Sequence, residues 1–428
     1  MRYLPLLLPA LFVATPAFAD AVTYQGTIGK IPVVVEFTAP PADAAKPFAG
    51  RYFYPNKGID IPLDALSVSK GKLKLAEEEV CTDACVTDEN GKITGFKQGA
   101  VWDLALGRDN TLTGKWTYKG RTQPVTLTYV GSRPLPEDSE ISPMGLAAIS
   151  QGIAYRDVAV SQDATPYDYL RMQIDLKPAK TQDFDGSTVT YLTDPRTKFA
   201  FPTIASLADG SSPAVANAAL EQRHWAMNTD ALNCEAQQYA GLGWFDMMPD
   251  MAGSLGGYPD ETVEVSYLSP TLMSWTESGS LFCGGAHPDN HIEAYTIDVK
   301  TGQPLGLSHI LKGWVAHDFD GKLVPPEEAR TRPSDVVWGP DAHLTAFVKA
   351  HLKPQSDPDA LDESCGVDDL LANNLAVRFD TGDKLTFTLT ALPNVIAACW
   401  TDLYSAPIAD LKDLLTPEAK DYFPALGD

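Results

Sequence analysis

Between residues 73 and 129 bulky side chains recur at every second position. Leu73/Leu75, Trp102/Leu104/Leu106, Leu112/Gly114/Trp116/Tyr118 and Val125/Leu127/Tyr129 all keep this spacing. A period of two belongs to a strand with one face buried and one in water, and a helix, with its period of 3.6, cannot hold it. Ile31 to Phe37 adds a β-branched run, and Asn90-Gly91 and Lys119-Gly120 mark tight hairpin turns. Gly50-Arg51-Tyr52 and Gly114-Lys115-Trp116 repeat a Gly-x-aromatic pattern, in which glycine would relieve crowding on a curved sheet. Residues 20–130 therefore predict about eight or nine short antiparallel strands in a meander closing into a small barrel. A two-sheet sandwich is the alternative. An interior with room to spare would hold a small apolar molecule, whereas one filled by Trp102, Trp116 and Tyr118 would not.

Residues 131–150 carry Pro134, Pro136 and the acidic pair Glu137-Asp138 without a clear period, which predicts a linker. From 151 to 428 the pattern becomes mixed. Strands are expected at Thr165–Leu176, Ser187–Leu192, Glu261–Cys283 and His291–Val299. Ser212-Pro213 opens a helix with Ala216, Leu220 and Met227 on one face. A second helix starts at Pro340 or Asp341 and turns Leu344, Phe347, Val348 and Leu352 inward. Leu375–Asp380 and Lys384–Thr390 form a hairpin around Thr381-Gly382-Asp383, and Pro407 opens a last helix. Irregular alternation of helices and hairpins predicts an α+β domain with an antiparallel sheet. The fold class is multidomain, all-β followed by α+β.

The first 19 residues read as a secretory signal peptide. Arg2 precedes an apolar run too short to cross a bilayer, and Ala17-Phe18-Ala19 is a cleavage signal that places the cut after Ala19. The expected location is periplasmic or extracellular, without membrane insertion. Six cysteines fit an oxidising compartment. Their positions suggest Cys81 with Cys85, Cys234 with Cys283, and Cys365 with Cys399, among about fifteen possible pairings. A zinc site is the weaker reading, since no CxxC pair occurs. With 56 acidic against 33 basic residues the formal net charge is −23, which argues against nucleic acid and anionic membranes and suits a cationic partner.

The most distinctive stretch is Cys283-Gly284-Gly285-Ala286-His287-Pro288, followed by Asp298-Val299-Lys300-Thr301-Gly302 and Leu305-Gly306-Leu307. Paired glycines permit close backbone approach, and Pro288 restricts His287 to extended conformations. A rigid loop presenting an imidazole suits a binding site. A structural turn is the plainer reading. The segment Leu268–Leu311, with Phe201-Pro202 and its helix before it and the pattern from Leu385 to Leu415 after it, resembles the RsiV-like extracytoplasmic domain family. This bacterial domain binds lysozyme in an anti-sigma factor and also accompanies a peptidoglycan deacetylase domain. The resemblance spans roughly residues 160–417 and implies an envelope-facing binding domain. Neither a sigma-binding segment nor the deacetylase's catalytic domain is present, so neither activity carries over.

Other constellations are weaker. His287, Asp289 and His291 could meet at a metal, but incidental loop histidines are the plainer reading. His224 shares a helix face with Leu220 and Met227 and reads as a core histidine; His343 and His351 read as helix residues. Asp357, Asp359, Asp362 and Glu363 lack the spacing of a calcium loop. Ser67-x-x-Lys70 matches a serine–lysine acylase motif in letters only, and Gly253-Ser254-Leu255-Gly256 lacks the first glycine of a nucleophile elbow. No catalytic residue, metal or cofactor is therefore expected. The expected function is a non-catalytic binding protein for a cell-envelope component or a lysozyme-like protein, with Gly284, Gly285, Ala286, His287 and Pro288 as ligand contacts. The alternative is an envelope-polymer hydrolase with His287 as general base, aided by Asp289 or Asp298.

Overall fold

The computed structural model describes residues 20–427, apart from 39–46, 70, 82–84, 88, 90–92, 137–138, 244–260, 282, 284–288, 355, 358–360, 362–364 and 424–425. The expected signal peptide and the expected turn at Asn90-Gly91 lie outside the described residues.

The alternating segment forms β1 (Asp20–Ile28), β2 (Ile31–Thr38), β3 (Ala49–Phe53), β4 (Ile61–Ser69), β5 (Lys72–Glu78), β6 (Cys85–Thr87), β7 (Ile93–Phe96), β8 (Gln98–Leu106), β9 (Thr111–Tyr118) and β10 (Arg121–Pro134). Eight of these strands close a barrel in the order β1-β10-β9-β8-β5-β4-β3-β2, while β6 and β7 pair as a side hairpin. Closure leaves no unpaired sheet edge. Lys119 and Gly120 turn from β9 into β10 with φ of 46° and 77°, as the dipeptide predicts. The glycines of the Gly-x-aromatic pattern are tight. A Cβ on Gly114 would sit 1.9 Å from the Asp103 carbonyl oxygen, and one on Gly50 would sit 2.6 Å from the Phe37 ring.

Side chains fill the barrel. Val33, Val35, Phe37, Leu63, Leu75, Trp102, Leu104, Leu112 and Leu127 share one core cluster, and Tyr52 packs edge-on to Trp102 at 5.1 Å. Glu77 enters this core because it accepts hydrogen bonds from Tyr52 Oη (2.8 Å), Trp102 Nε1 (2.8 Å) and Trp116 Nε1 (2.6 Å). Burial pushes its carboxyl above the usual range, and the three donors pull the other way. Of the three side chains named for the interior, Trp102 is buried in this core, Trp116 packs against it partly buried, and Tyr118 is not part of it.

The stretch expected to be a linker is structured. β10 continues to Pro134, and α1 (Pro143–Ala154) follows, capped by Ser142, whose Oγ accepts from Gly145 N at 3.0 Å. The strand expected from Thr165 is instead α2 (Pro166–Met172), which begins with proline at its first turn. Both helices lie on the outside of the barrel. Val34 and Phe53, which point away from the barrel interior, pack against Tyr167 of α2. That covering explains why β2 is a continuous apolar run rather than an alternating one.

The covered face also holds buried charge. Glu36 and Arg51 are register partners on β2 and β3. Arg51 Nε meets Glu36 at 2.8 Å, Nη1 meets Asp60 at 2.9 Å and Ser150 of α1 at 2.8 Å, and Nη2 meets Asp168 of α2 at 3.4 Å. Arg133 of β10 pairs with Glu36 at 2.9 Å and donates to the Leu146 carbonyl. Arg171 of α2 donates to the Gly58 carbonyl and to Asn233. Three arginines thus face three carboxylates, all nearly excluded from water.

Downstream come β11 (Lys177–Phe184), β12 (Ser187–Thr193), β13 (Ala200–Ser206), α3 (Ala214–Ala236), β14 (Thr262–Leu268), β15 (Leu272–Leu281) and β16 (Asp289–Asp298). The sheets β11-β12-β13 and β14-β15-β16 share a core with α3 through Phe201, Leu220, Met227 and Trp275. β17 (Trp314–His317), β18 (Leu323–Val324), α4 (Pro326–Thr331), β19 (Val337–Pro340), α5 (Ala342–Ala350), α6 (Val367–Asn373), β20 (Leu375–Asp380), β21 (Lys384–Leu389) and β22 (Asp402–Pro407) complete the chain. The order β20-β21-β22 packs against α5 and α6. Every sheet pairing is antiparallel, the α+β arrangement expected. The segment after Pro407 is 3-10 rather than α-helical, with Ile408, Leu411 and Leu414 buried as expected.

Cysteines pair as 81 with 85, 234 with 283, and 365 with 399, at Cα separations of 5.0, 5.4 and 5.7 Å. Among the described residues no helix is long and apolar enough to cross a membrane.

Candidate functional site

The Gly284–Pro288 loop lies outside the described residues, but both of its ends are fixed. Cys283 is joined to Cys234 near the end of α3, and β16 begins at Asp289. The register across β15 and β16 places Gly279 opposite His291, Glu277 opposite Glu293 and Trp275 opposite Tyr295. Directly opposed residues share a sheet face, so this face carries an indole, a phenol, two carboxylates and an imidazole.

Glu261, just before β14, adds a third carboxylate. Its oxygens lie 3.2 and 3.3 Å from His291 Nε2. Gly279 makes this approach possible, because a Cβ there would fall 2.3 Å from Glu261 Oε2. Burial raises the Glu261 carboxyl, while His291 opposes the rise. The carboxylate holds the ring from one nitrogen and so fixes which way the other side of the imidazole faces.

Deeper on this face, Arg223 of α3 donates through Nε to Glu277 at 2.9 Å and through Nη2 to Glu277 and to Tyr295 Oη. Trp275 Nε1 also donates to Glu277, at 2.8 Å. The guanidinium of Arg223 lies over the Tyr295 ring, with Arg156 near the same ring at 5.3 Å. Burial and the neighbouring Arg223 charge lower the Arg156 pKa. The inner groups are occupied with one another, which leaves His291 as the group at the rim.

His291 lines a cleft of about 280 Å³ with Ser278, Asn290, Ile292, Leu392 and Trp400. Its far wall is the 3-10 segment Asn394–Cys399 and Trp400, anchored through Cys399 to Cys365. The walls are bridged where Ala391 N donates to the Ile292 carbonyl and Asn290 donates to Asn394. Trp400 keeps 37% of its surface exposed. An indole beside amide, hydroxyl and imidazole groups can stack on a flat ligand face and hydrogen-bond its polar edge.

Of the residues singled out by sequence, the structure therefore brings His291 to the cleft. Asp298 caps the turn at the other end of the ten-residue β16, accepting from Lys300 N at 2.8 Å and Thr301 N at 2.9 Å. That strand length puts it about 30 Å from Asp289 at the start of the strand. His343 and His351 sit on and at the end of α5; His351 Nδ1 lies 2.8 Å from the Phe347 carbonyl. Ser67 lies within β4, away from any helix start, while Lys70 and Gly253-Ser254-Leu255-Gly256 lie outside the described residues. No group of three metal-ligating side chains occurs among the described residues. Sequence reading missed Glu261, and its only signal was the glycine at 279 inside a strand.

His224 is buried on α3, 4% exposed and stacked on Phe201. Burial lowers its pKa to about 4, against a smaller opposing effect of Asp194. The unfolded chain takes up this proton near the ordinary value of about 6.5. Between those two values the unfolded state binds more protons, so stability falls as pH falls. The expected loss from pH 7 to below 4 attributable to this ring is about 3 kcal/mol. Urea denaturation across pH 4–7 checks this, and a His224→Phe variant should lose that share of the slope.

Fold and site together define a protein whose closed β-barrel is locked to an α+β body carrying a disulfide-bounded cleft. No protein-family model matches this chain, and no curated protein is significantly similar to it.

Proposed function

We propose that this is a non-catalytic binding protein of the cell envelope, secreted or periplasmic, whose α+β body recognises an envelope glycan. The carrying observation is the cleft in which Trp400 faces a carboxylate-oriented His291. An exposed indole with hydrogen-bonding neighbours suits a polyhydroxylated ring. The three disulfides fit an oxidising compartment. The RsiV-like resemblance supports the same setting.

A second reading has its own support. The net charge of −23 would steer a cationic, lysozyme-like protein towards the surface, and binding of that kind weakens with salt.

Titration calorimetry of the purified protein with soluble peptidoglycan fragments and with a cationic lysozyme, at low and high salt, separates these readings. Salt-insensitive fragment binding that weakens at least about tenfold in Trp400→Ala supports the glycan reading. Salt-sensitive lysozyme binding, unchanged in Trp400→Ala, supports the second. Release of reducing ends that stops in His287→Ala would establish the hydrolase instead. Absence of all three signals would overturn the proposal.

A further inference from the structure

A second cleft of about 310 Å³ opens between α3 and the β12–β13 edge, remote in chemistry from the first. Leu192, Phe201, Pro202 and Leu220 form its apolar lining, and Glu221 and His224 are its titratable groups. Glu221 and His224 are three residues apart on one helix, so they are neighbours on one face. Asn217 also borders the cleft, but both ends of its amide are engaged with the Ile204 backbone, at 2.8 and 2.9 Å.

The imidazole is the informative group. One ring nitrogen bonds the Phe199 backbone, while the buried Nε2 has no hydrogen-bond partner. A nitrogen that meets a backbone carbonyl is the protonated one, which leaves Nε2 as a bare lone pair. A buried polar atom without a partner is costly, and one on a cleft wall can be satisfied by a guest. Asp194 and Arg196 also act on this ring, but they are engaged in their own bidentate pair. Glu221 stands at the rim, an acceptor like Nε2. Two acceptors one helical turn apart, with apolar walls, call for a guest that donates twice and carries positive charge.

We propose that this cleft binds a small organic ammonium with an apolar body. One N–H donates to His224 Nε2, another to the Glu221 carboxylate, and the body lies along Leu192, Phe201 and Leu220. The site stands on different residues from the glycan cleft, so either can fail alone.

The test uses the full mature chain at pH 7.5 with three probes of one chain length: n-butylammonium, n-butanol and butanoate. Binding is followed by calorimetry and by the 15N shift of His224 Nε2. The ammonium alone should bind and move the Nε2 resonance. Glu221→Gln should weaken it about fivefold, the size of a partly exposed ion pair, and His224→Phe about tenfold or more, the size of a buried hydrogen bond to a charged donor. Equal binding of butanol and butylammonium, an unmoved Nε2 resonance, or full affinity in Glu221→Gln would overturn the proposal and leave Nε2 satisfied by water. Glu221 is exposed on the helix surface, so its variant stays folded even if His224→Phe does not.

Discussion

Replacing Arg51 with methionine is expected to cost about 3–5 kcal/mol of folding stability, because it leaves buried carboxylates without their shared cation. Glu36 would keep Arg133, and Asp60 would keep Tyr167 Oη at 2.7 Å with Arg171 at 3.7 Å. Asp168 would be left with Ser150 alone among the partners described, at 2.6 Å. The variant therefore strands one negative charge where water does not reach. Urea denaturation measures the loss. The double variant Arg51→Met/Asp168→Asn restores charge balance and should recover a substantial part of it. A single variant within about 1 kcal/mol of the parent, the worth of a surface pair, would show that this cluster does not hold the junction.

The second large effect concerns Cys234–Cys283. The bond closes 49 residues, and in the loop-entropy account such a closure is worth about 4 kcal/mol. It also holds the end of β15 against α3, beside the Glu261–His291 pair. Cys234→Ser/Cys283→Ser should therefore lose about 4 kcal/mol and weaken whatever ligand enters the His291 cleft. Peptide mapping of the unreduced parent should recover 81 with 85, 234 with 283 and 365 with 399. A double serine variant with unchanged stability would mean that the unfolded chain gains little freedom when the bond is removed.

Much of the barrel was legible because its residues obey a local rule. Trp102, Leu104 and Leu112 announce their face by alternation, and Lys119-Gly120 announces its turn. The same rule hid the junction. Glu36 and Arg51 occupy outward positions, where a charged residue ordinarily means water. Only α1 and α2, short helices with weak periodicity behind a proline-rich stretch, bury them. The site was hidden for a related reason. Glu261 and His291 are thirty residues apart in sequence and meet only through the register of a three-stranded sheet. Neither residue has a neighbour in sequence that implies the other. The cysteine pairs were legible because each joins nearby parts of the chain.

The buried junction has a consequence for how the chain is made. The barrel strands end at Pro134, but α2 follows only at Pro166. On the barrel side Glu36 and Asp60 balance Arg51 and Arg133; on α2 Asp168 balances Arg171. Each half is neutral before they meet, so an emerging barrel neither repels nor electrostatically captures the later helix. The latch then closes through fit and exclusion of water. A nascent barrel thus stays open to solvent on this flank until the chain that follows supplies its lid.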